Sequence, residues 1–246
     1  MGEELNKLLV VYNTCGVKRE NIPFYIKAIE SILSQDFDNM RVVVSMFKNS
    51  LNCKRELAKK FGNKISYIFY DENVLTINQT FNSTVKLCTQ KYGKFDDYLY
   101  MDSGVILQQI DNKQNDQIFK KAYKEYKSGP YSIASVQVNH DAGYHQIGMK
   151  YSSNEVQIKN KNYVMPIGKA INLHLQFFSN DLYEALNNTL MPDIFVAYCT
   201  ESVYSFCCAA INKKWIIIRD ILVHHHPSME GASASFPHHS LVHKNT

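Results

Sequence analysis

The chain has 246 residues, 45% of them hydrophobic, and 27 Lys and Arg against 23 Asp and Glu give it a formal net charge of +4. The lysines are scattered without a dense basic block. That excludes the electrostatic footprint of a duplex-nucleic-acid binder and leaves room for an anionic small molecule in a mildly basic pocket. At this length enough apolar surface is buried on folding that no disulfide staples are needed, and no apolar run approaches the ~20 residues of a membrane span.

Six cysteines, at positions 15, 53, 88, 199, 207 and 208, form no C-x-x-C pair. They read as reduced thiols of a cytoplasmic protein, most of them buried as small apolar side chains. The opening MGEELNK is charged and carries no signal-peptide hydrophobic region. N-x-[ST] sequons at Asn78, Asn82 and Asn187 then read as chance products of an Asn-rich composition. That Asn and Lys richness is the mark of an AT-rich genome, and the expectation is a viral one, which would place the protein in the host cytoplasm.

In chain order, LLVVYN (8–13) predicts a buried strand. Ile22, Ile26, Ile29 and Leu33 form one apolar stripe of a helix over 22–35, with Asn21 as its cap and Pro23 in its first turn. RVVVSMF (41–47) is a second strand, 52–61 a short helix ending at Gly62, and ISYIFY (65–70) a third strand. Thr76 is placed to cap a helix over 77–90, and the fourth strand is 98–102. This β-α-β-α-β-α-β order predicts a mostly parallel sheet flanked by helices, an α/β fold in a single domain. Beyond residue 104 the pattern loosens. A helix is expected near 115–127, strands at 131–138 and 173–179, helices near 180–188 and 201–211, and a strand at 214–218.

Open α/β sheets bind ligands beyond the carboxyl ends of their strands. Three loops therefore converge: 12–19, 45–51 and 102–104. Asp102 ends the strand YLYMD at the centre of that crevice. An Asp-Ser-Gly sequence also caps its own turn, so two readings compete. In the functional one the carboxylate holds a divalent cation, Mn²⁺ or Mg²⁺, that bridges a diphosphate. Glu201, in CTESVYSF (199–206), sits at the start of an amphipathic helix. It either complements the helix dipole or acts as general base on a hydroxyl. His224, His225 and His226 follow WIIIRDILV, and alternation lets at most one or two of them, His224 with His226, join Asp102 at a metal. Their spacing from Cys207 and Cys208 fits no zinc pattern. In the tail, Gly231, Ala232 and Ser233 compose either a small hydroxyl-bearing lid or a disordered end.

Together these segments resemble a GT-A fold glycosyltransferase of the broad family-2-like kind. LLVVYNT (8–14), SILSQDF followed by MRVVVS, YLYMDSGV (98–105), CTESVYSF and the histidine triplet fall in the order of that family's nucleotide loop, opening helix and strand, D-x-D motif, acidic helix motif and C-terminal metal-binding histidine. The second acid of D-x-D is Gly104 here, and no acidic residue follows the second strand at Ser45 to Lys48, so Asp71 or Glu72 would substitute. The resemblance implies transfer from a UDP- or GDP-sugar to a hydroxyl of a glycan or glycoprotein. Nucleotide contacts would come from Tyr12, Asn13, Thr14, Asp71, Asp102 and Ser103, metal ligands from Asp102, His224 and His226, and catalysis from Asp102 and Glu201. It divides the chain into a nucleotide-sugar half (about 1–105), an acceptor and catalytic half (about 106–226) and a flexible tail or lid (227–246). Two other readings stand beside it. One is a sugar-phosphate nucleotidyltransferase, using Cys15-Gly16-Val17-Lys18-Arg19 as its phosphate loop. The other is a non-catalytic nucleotide- or carbohydrate-binding module, motivated by Gly104.

Overall fold

The computed structural model describes residues 7–14, 21–47, 51–71, 77–109, 117–140, 155–158, 161–164, 174–191 and 212–225. The first half alternates as its sequence predicts: β1 (Leu8–Asn13), α1 (Ile22–Leu33), β2 (Met40–Phe47), α2 (Leu51–Phe61), β3 (Ser66–Tyr70), α3 (Ile77–Tyr92) and β4 (Asp97–Asp102). The second half comprises β5 (Val105–Gln109), α4 (Ile118–Lys127), β6 (Tyr131–His140), the hairpin of β7 (Glu155–Ile158) and β8 (Lys161–Val164), β9 (Leu175–Ser179), α5 (Asn180–Ala185) and β10 (Lys214–His225).

Eight strands form one sheet in the order β3-β2-β1-β4-β9-β6-β10-β5. The pairs β2–β3, β1–β2, β1–β4 and β6–β10 are parallel, while β9 and β5 run against their neighbours. Alternate residues of each strand serve two cores. Leu8, Val10, Val42, Val44, Leu99, Phe177 and Ala134 pack under α1, α2 and α4. Leu9, Val11, Val43, Tyr98, Tyr100, Ile133 and Phe178 pack under α3 and α5.

A covalent constraint shapes the sheet. β4 and β5 are joined by Ser103 and Gly104 alone, a link that spans about 10 Å at most. In the strand order they stand four places apart, a distance of about 19 Å in a flat sheet. The sheet must therefore curl, bringing its β10–β5 side round toward the end of β4. The irregularity lies in β10, whose register against β6 shifts between Ile218 and Leu222. Beyond that break His224 lies opposite Ile106 and His225 opposite Val105, so the end of β10 meets the end of β4.

Several predicted boundaries move, each for a physical reason. Asn21 makes no side-chain cap on α1, because its backbone is already in the right-handed region (φ −87°, ψ −7°) rather than the extended one a cap requires. α1 stops at Leu33, and Gln35 instead joins two helices. Its Oε1 accepts from the Phe119 amide at 3.0 Å, one of α4's otherwise unsatisfied first-turn donors, while its Nε2 donates to the Ser31 carbonyl at 3.0 Å. The helix expected to run to 188 ends at Ala185, because Asn187 and Asn188 take left-handed φ values of 54° and 62°. β5 was not anticipated, and β10 continues through His224 and His225 instead of ending at residue 218. Of the sequons, Asn78 is buried, and Asn82 clamps a distant segment. The Asn82 Nδ2 donates to the Met191 carbonyl, and its Oδ1 accepts from the Leu190 and Met191 amides. Cys53 and Cys88 are buried free thiols, pushed up to about 12 and about 11 by burial. The expected helix at 201–211, the Thr76 cap and the residues beyond 225 lie outside the described residues. No helix among those described is long and apolar enough to cross a membrane.

At the start of β4, Asp97 is fully buried yet charged-residue chemistry surrounds it. It accepts from the Tyr123 hydroxyl, from the Tyr126 hydroxyl at 3.0 Å and from Lys127 Nζ at 2.7 Å, which ties α4 to the sheet. Desolvation by burial raises its pKa against the opposing pull of Lys127 and the two tyrosines. Asp97→Ala is expected to cost about 3 kcal/mol or more in urea unfolding, because three donors lose their acceptor inside the protein. For Asp97→Asn the penalty has a pH signature. A raised folded pKa means the wild type is favoured below the unfolded carboxyl value and loses that advantage as pH rises through the folded one. The penalty relative to wild type should therefore shrink from pH 4 to pH 7.

Candidate functional site

The carboxyl ends of β1, β2 and β4 are in register, with Asn13 beside Ser45 on one side and Asp102 on the other. Hydrogen bonds lock this row. The Thr14 amide and hydroxyl both donate to the Ser45 carbonyl, at 3.0 and 2.8 Å. Tyr12 passes beneath the turn after β4, and its hydroxyl donates to the Ser103 carbonyl at 2.9 Å. Burial first, and then the proximity of Tyr25 and Asp102, raise the Tyr12 pKa well above its ordinary value, so it stays a neutral donor. Asn13 makes a long 3.5 Å contact from Nδ2 to Thr80 Oγ1 on α3.

Asp102 does two things at once. Its Oδ1 accepts from the Ser103 amide at 2.7 Å and lies 3.4 Å from the Ser103 hydroxyl, which is the turn-capping arrangement of Asp-Ser-Gly. Its Oδ2 accepts from His174 Nδ1 at 3.0 Å. The backbone reinforces that second contact, with the Asp102 amide donating to the His174 carbonyl at 2.8 Å. The carboxylate keeps 28% of its side-chain surface exposed and the imidazole 21%, so both are reachable from the crevice. An Nδ1–H committed to a carboxylate makes Nε2 the ring's lone-pair atom, the arrangement in which histidine serves as base or metal ligand.

His174 has no motif signal in the sequence. It precedes LQFFS, and nothing in the spacing from Asp102 joins the two. The antiparallel register of β9 on β4, with Met101 opposite Leu175, carries residue 174 onto residue 102. His224, half-buried in β10, pairs opposite Ile106 of β5, four residues along the chain from Asp102. Of the other residues singled out in the sequence, Tyr12, Asn13, Thr14 and Ser103 are buried around the turn. Asp71 is exposed directly after β3, whose carboxyl end lies on the same side of the sheet. Glu201, Glu72 and His226 lie outside the described residues. Among the described residues no group of three His, Cys, Asp or Glu side chains is arranged to hold a metal.

The sequence matches no protein-family model and no curated protein. Solved structures do share the fold. One is a mannosyltransferase from Pyrobaculum calidifontis in complex with GDP-Man and Mn²⁺, at 11% identity and a TM-score of 0.57 over 89% of this chain. Another is S. aureus TarS 1–349, at 16% identity and a TM-score of 0.57 over 89% of this chain. A third is the inositol-1-phosphate CTP transferase of T. maritima, at 10% identity and a TM-score of 0.52 over 95% of this chain. The chain spans only 56% of the mannosyltransferase and 60% of the TarS chain, but 97% of the CTP transferase. The fold is GT-A-like, as its sequence resemblance implied.

The Tyr12 hydroxyl is the buried prop of the turn that presents Asp102. Tyr12→Phe is expected to lower stability by about 1–2 kcal/mol in urea unfolding, because the Ser103 carbonyl loses its donor out of reach of bulk water.

Proposed function

We propose that the protein is a glycosyltransferase that moves a sugar from a nucleotide-diphosphate sugar, UDP- or GDP-linked, to a hydroxyl of a glycan or glycoprotein. The observation that carries this reading is the partly exposed Asp102 carboxylate, bonded to His174, at the carboxyl end of β4 in a GT-A-like sheet. The nucleotide belongs over the ends of β1 and β2, beside Asn13 and Thr14, with Asp71 within the same rim and Asp102 and Ser103 toward the diphosphate. The Asp102 carboxylate would hold Mn²⁺ or Mg²⁺, with water and phosphate oxygens completing the shell, and an imidazole from His174, His224 or His226 would add a ligand that suits Mn²⁺ better than Mg²⁺. Such a cation supplies neutralisation of the charge that grows on the leaving diphosphate.

In transfer, the bond between the anomeric carbon and the diphosphate oxygen breaks and one to the acceptor oxygen forms, through an oxocarbenium-like state. For an inverting reaction Glu201 accepts the acceptor hydroxyl's proton. For a retaining one it holds the acceptor. The second half of the chain supplies the acceptor site in either case, with residues beyond 226 as a closing lid. We place the protein in the cytoplasm, of a host cell if its genome is viral.

A second reading is favoured by one observation. The chain matches nearly the whole length of the CTP transferase but little more than half of the mannosyltransferase. A sugar-phosphate nucleotidyltransferase would release pyrophosphate from a nucleoside triphosphate and a sugar phosphate, whereas a glycosyltransferase releases a nucleoside diphosphate.

A panel of UDP- and GDP-sugars with hydroxyl acceptors and Mn²⁺ separates the two by the product released. Calorimetry should show binding of at least one nucleotide-sugar below millimolar concentration, and Asp102→Asn should weaken it at least tenfold, roughly the worth of one charge-assisted contact. Absence of any nucleotide-sugar binding in the millimolar range sinks the proposal.

A further inference from the structure

Two rows of residues cross the α3-facing side of the sheet at its carboxyl end, and they differ in a way the mechanism above does not use. The upper row is polar throughout: Ser45, Asn13, Asp102 and His174, on β2, β1, β4 and in front of β9. The row beneath it comprises Val43, Val11, Tyr100, Gln176 and Ser135. On the β1–β2 side that second row is apolar core. On the β9–β6 side it stays polar, so the polar floor of the crevice is one layer deeper on one side of Asp102 only.

Gln176 is the centre of the deep side. It lies two residues beyond His174 on one strand, and alternation puts both side chains on the same face. It is fully buried. Neither its Nε2 nor its Oε1 has a hydrogen-bond partner among the described residues. An amide buried without partners costs about 1–3 kcal/mol for each unsatisfied group. An apolar side chain of the same size would carry no such cost on a strand face whose neighbours are Tyr100, directly opposite, and Phe178, two residues on.

We propose that the Gln176 amide reads a sugar hydroxyl bound at the Asp102 corner, accepting from it through Oε1 and donating to it through Nε2. The inference rests on the glycosyl-transfer reading above. A hydroxyl both donates and accepts, and it matches both orphan atoms of the amide. Phosphate oxygens would face Oε1 without a proton to give, and a cation would engage only Oε1. A nucleobase edge could pair with an amide, but the base belongs over β1 and β2, where the second row is valine. The hydroxyl comes either from the transferred sugar or from the acceptor glycan.

The test compares wild type with Gln176→Leu and Gln176→Met, both close in size and without the amide. In the absence of ligand both variants should melt about 2–4 °C higher, since removing an unpartnered buried amide stabilises the fold. With ligand, one step should weaken about tenfold to hundredfold, the equivalent of one or two hydrogen bonds to a buried group. If calorimetric affinity for the UDP- or GDP-sugar falls while that for UDP or GDP is unchanged, the hydroxyl is the donor's. If donor affinity is unchanged and the acceptor KM rises, it is the acceptor's. Equal loss of affinity for UDP or GDP alone overturns the proposal, as does unchanged binding and transfer, or lowered melting in both variants. Wild type that binds no nucleotide-sugar overturns the glycosyl-transfer reading and this inference with it. Wild type that transfers sugar at the same rate and affinity as both variants overturns the inference alone.

Discussion

Two residues between β4 and β5 decide the geometry of this molecule. A strand pair so tightly joined would normally form a hairpin, yet these two do not pair with each other. β5 is taken up by β10 on the far side of the sheet, and the sheet curls to bring β10 there. The register break after Ile218 is where the bend is accommodated. The consequence is chemical. The end of β4, which carries Asp102, and the end of β10, which carries His224, share one corner although 121 positions separate them in the chain.

Along β4 and its neighbour β9 the protein treats its buried polar groups in three different ways. Asp97 has every reason to be expensive, being a carboxylate with no exposed surface, but three donors from α4 converge on it and make it a structural joint. Asp102 is divided: one oxygen is spent on the turn that holds it, and the other is turned to His174 at the crevice. Gln176 has no described partner at all. Only the last two lie at the carboxyl end of the sheet, where a ligand of an open α/β fold binds.

Length adds a second line of comparison. A sheet of this topology is common to enzymes that transfer sugars and enzymes that transfer nucleotides, and fold alone does not choose between them. The two chemistries ask different things of the β9–β6 side. On the sugar-transfer reading proposed above, a polyhydroxylated ligand would lie there, and a polar floor two rows deep suits it. The nucleotidyl-transfer reading would instead call on the Cys15 to Arg19 stretch that follows β1 in the chain.

The sequence by itself determined the first half of the fold. β1 matches LLVVYN residue for residue, and α1, β2, α2, β3, α3 and β4 follow within two residues at each end. The helices bury one apolar stripe and the inner strands are short apolar runs buried on both faces, so local patterning alone reveals them. The convergence of Asn13, Ser45 and Asp102 followed from parallel order. What only the tertiary structure decided lies in the antiparallel and closing strands. VILQQ has no period that identifies it as an edge strand, because its partner is 110 or more residues away. His174 and Gln176 owe their places to the register of β9 against β4, and the histidines of β10 to its pairing with β5. Register is a property of two strands at once. No single stretch of sequence carries it, and that is why the aspartate could be read from its own strand while the imidazole bonded to it could not.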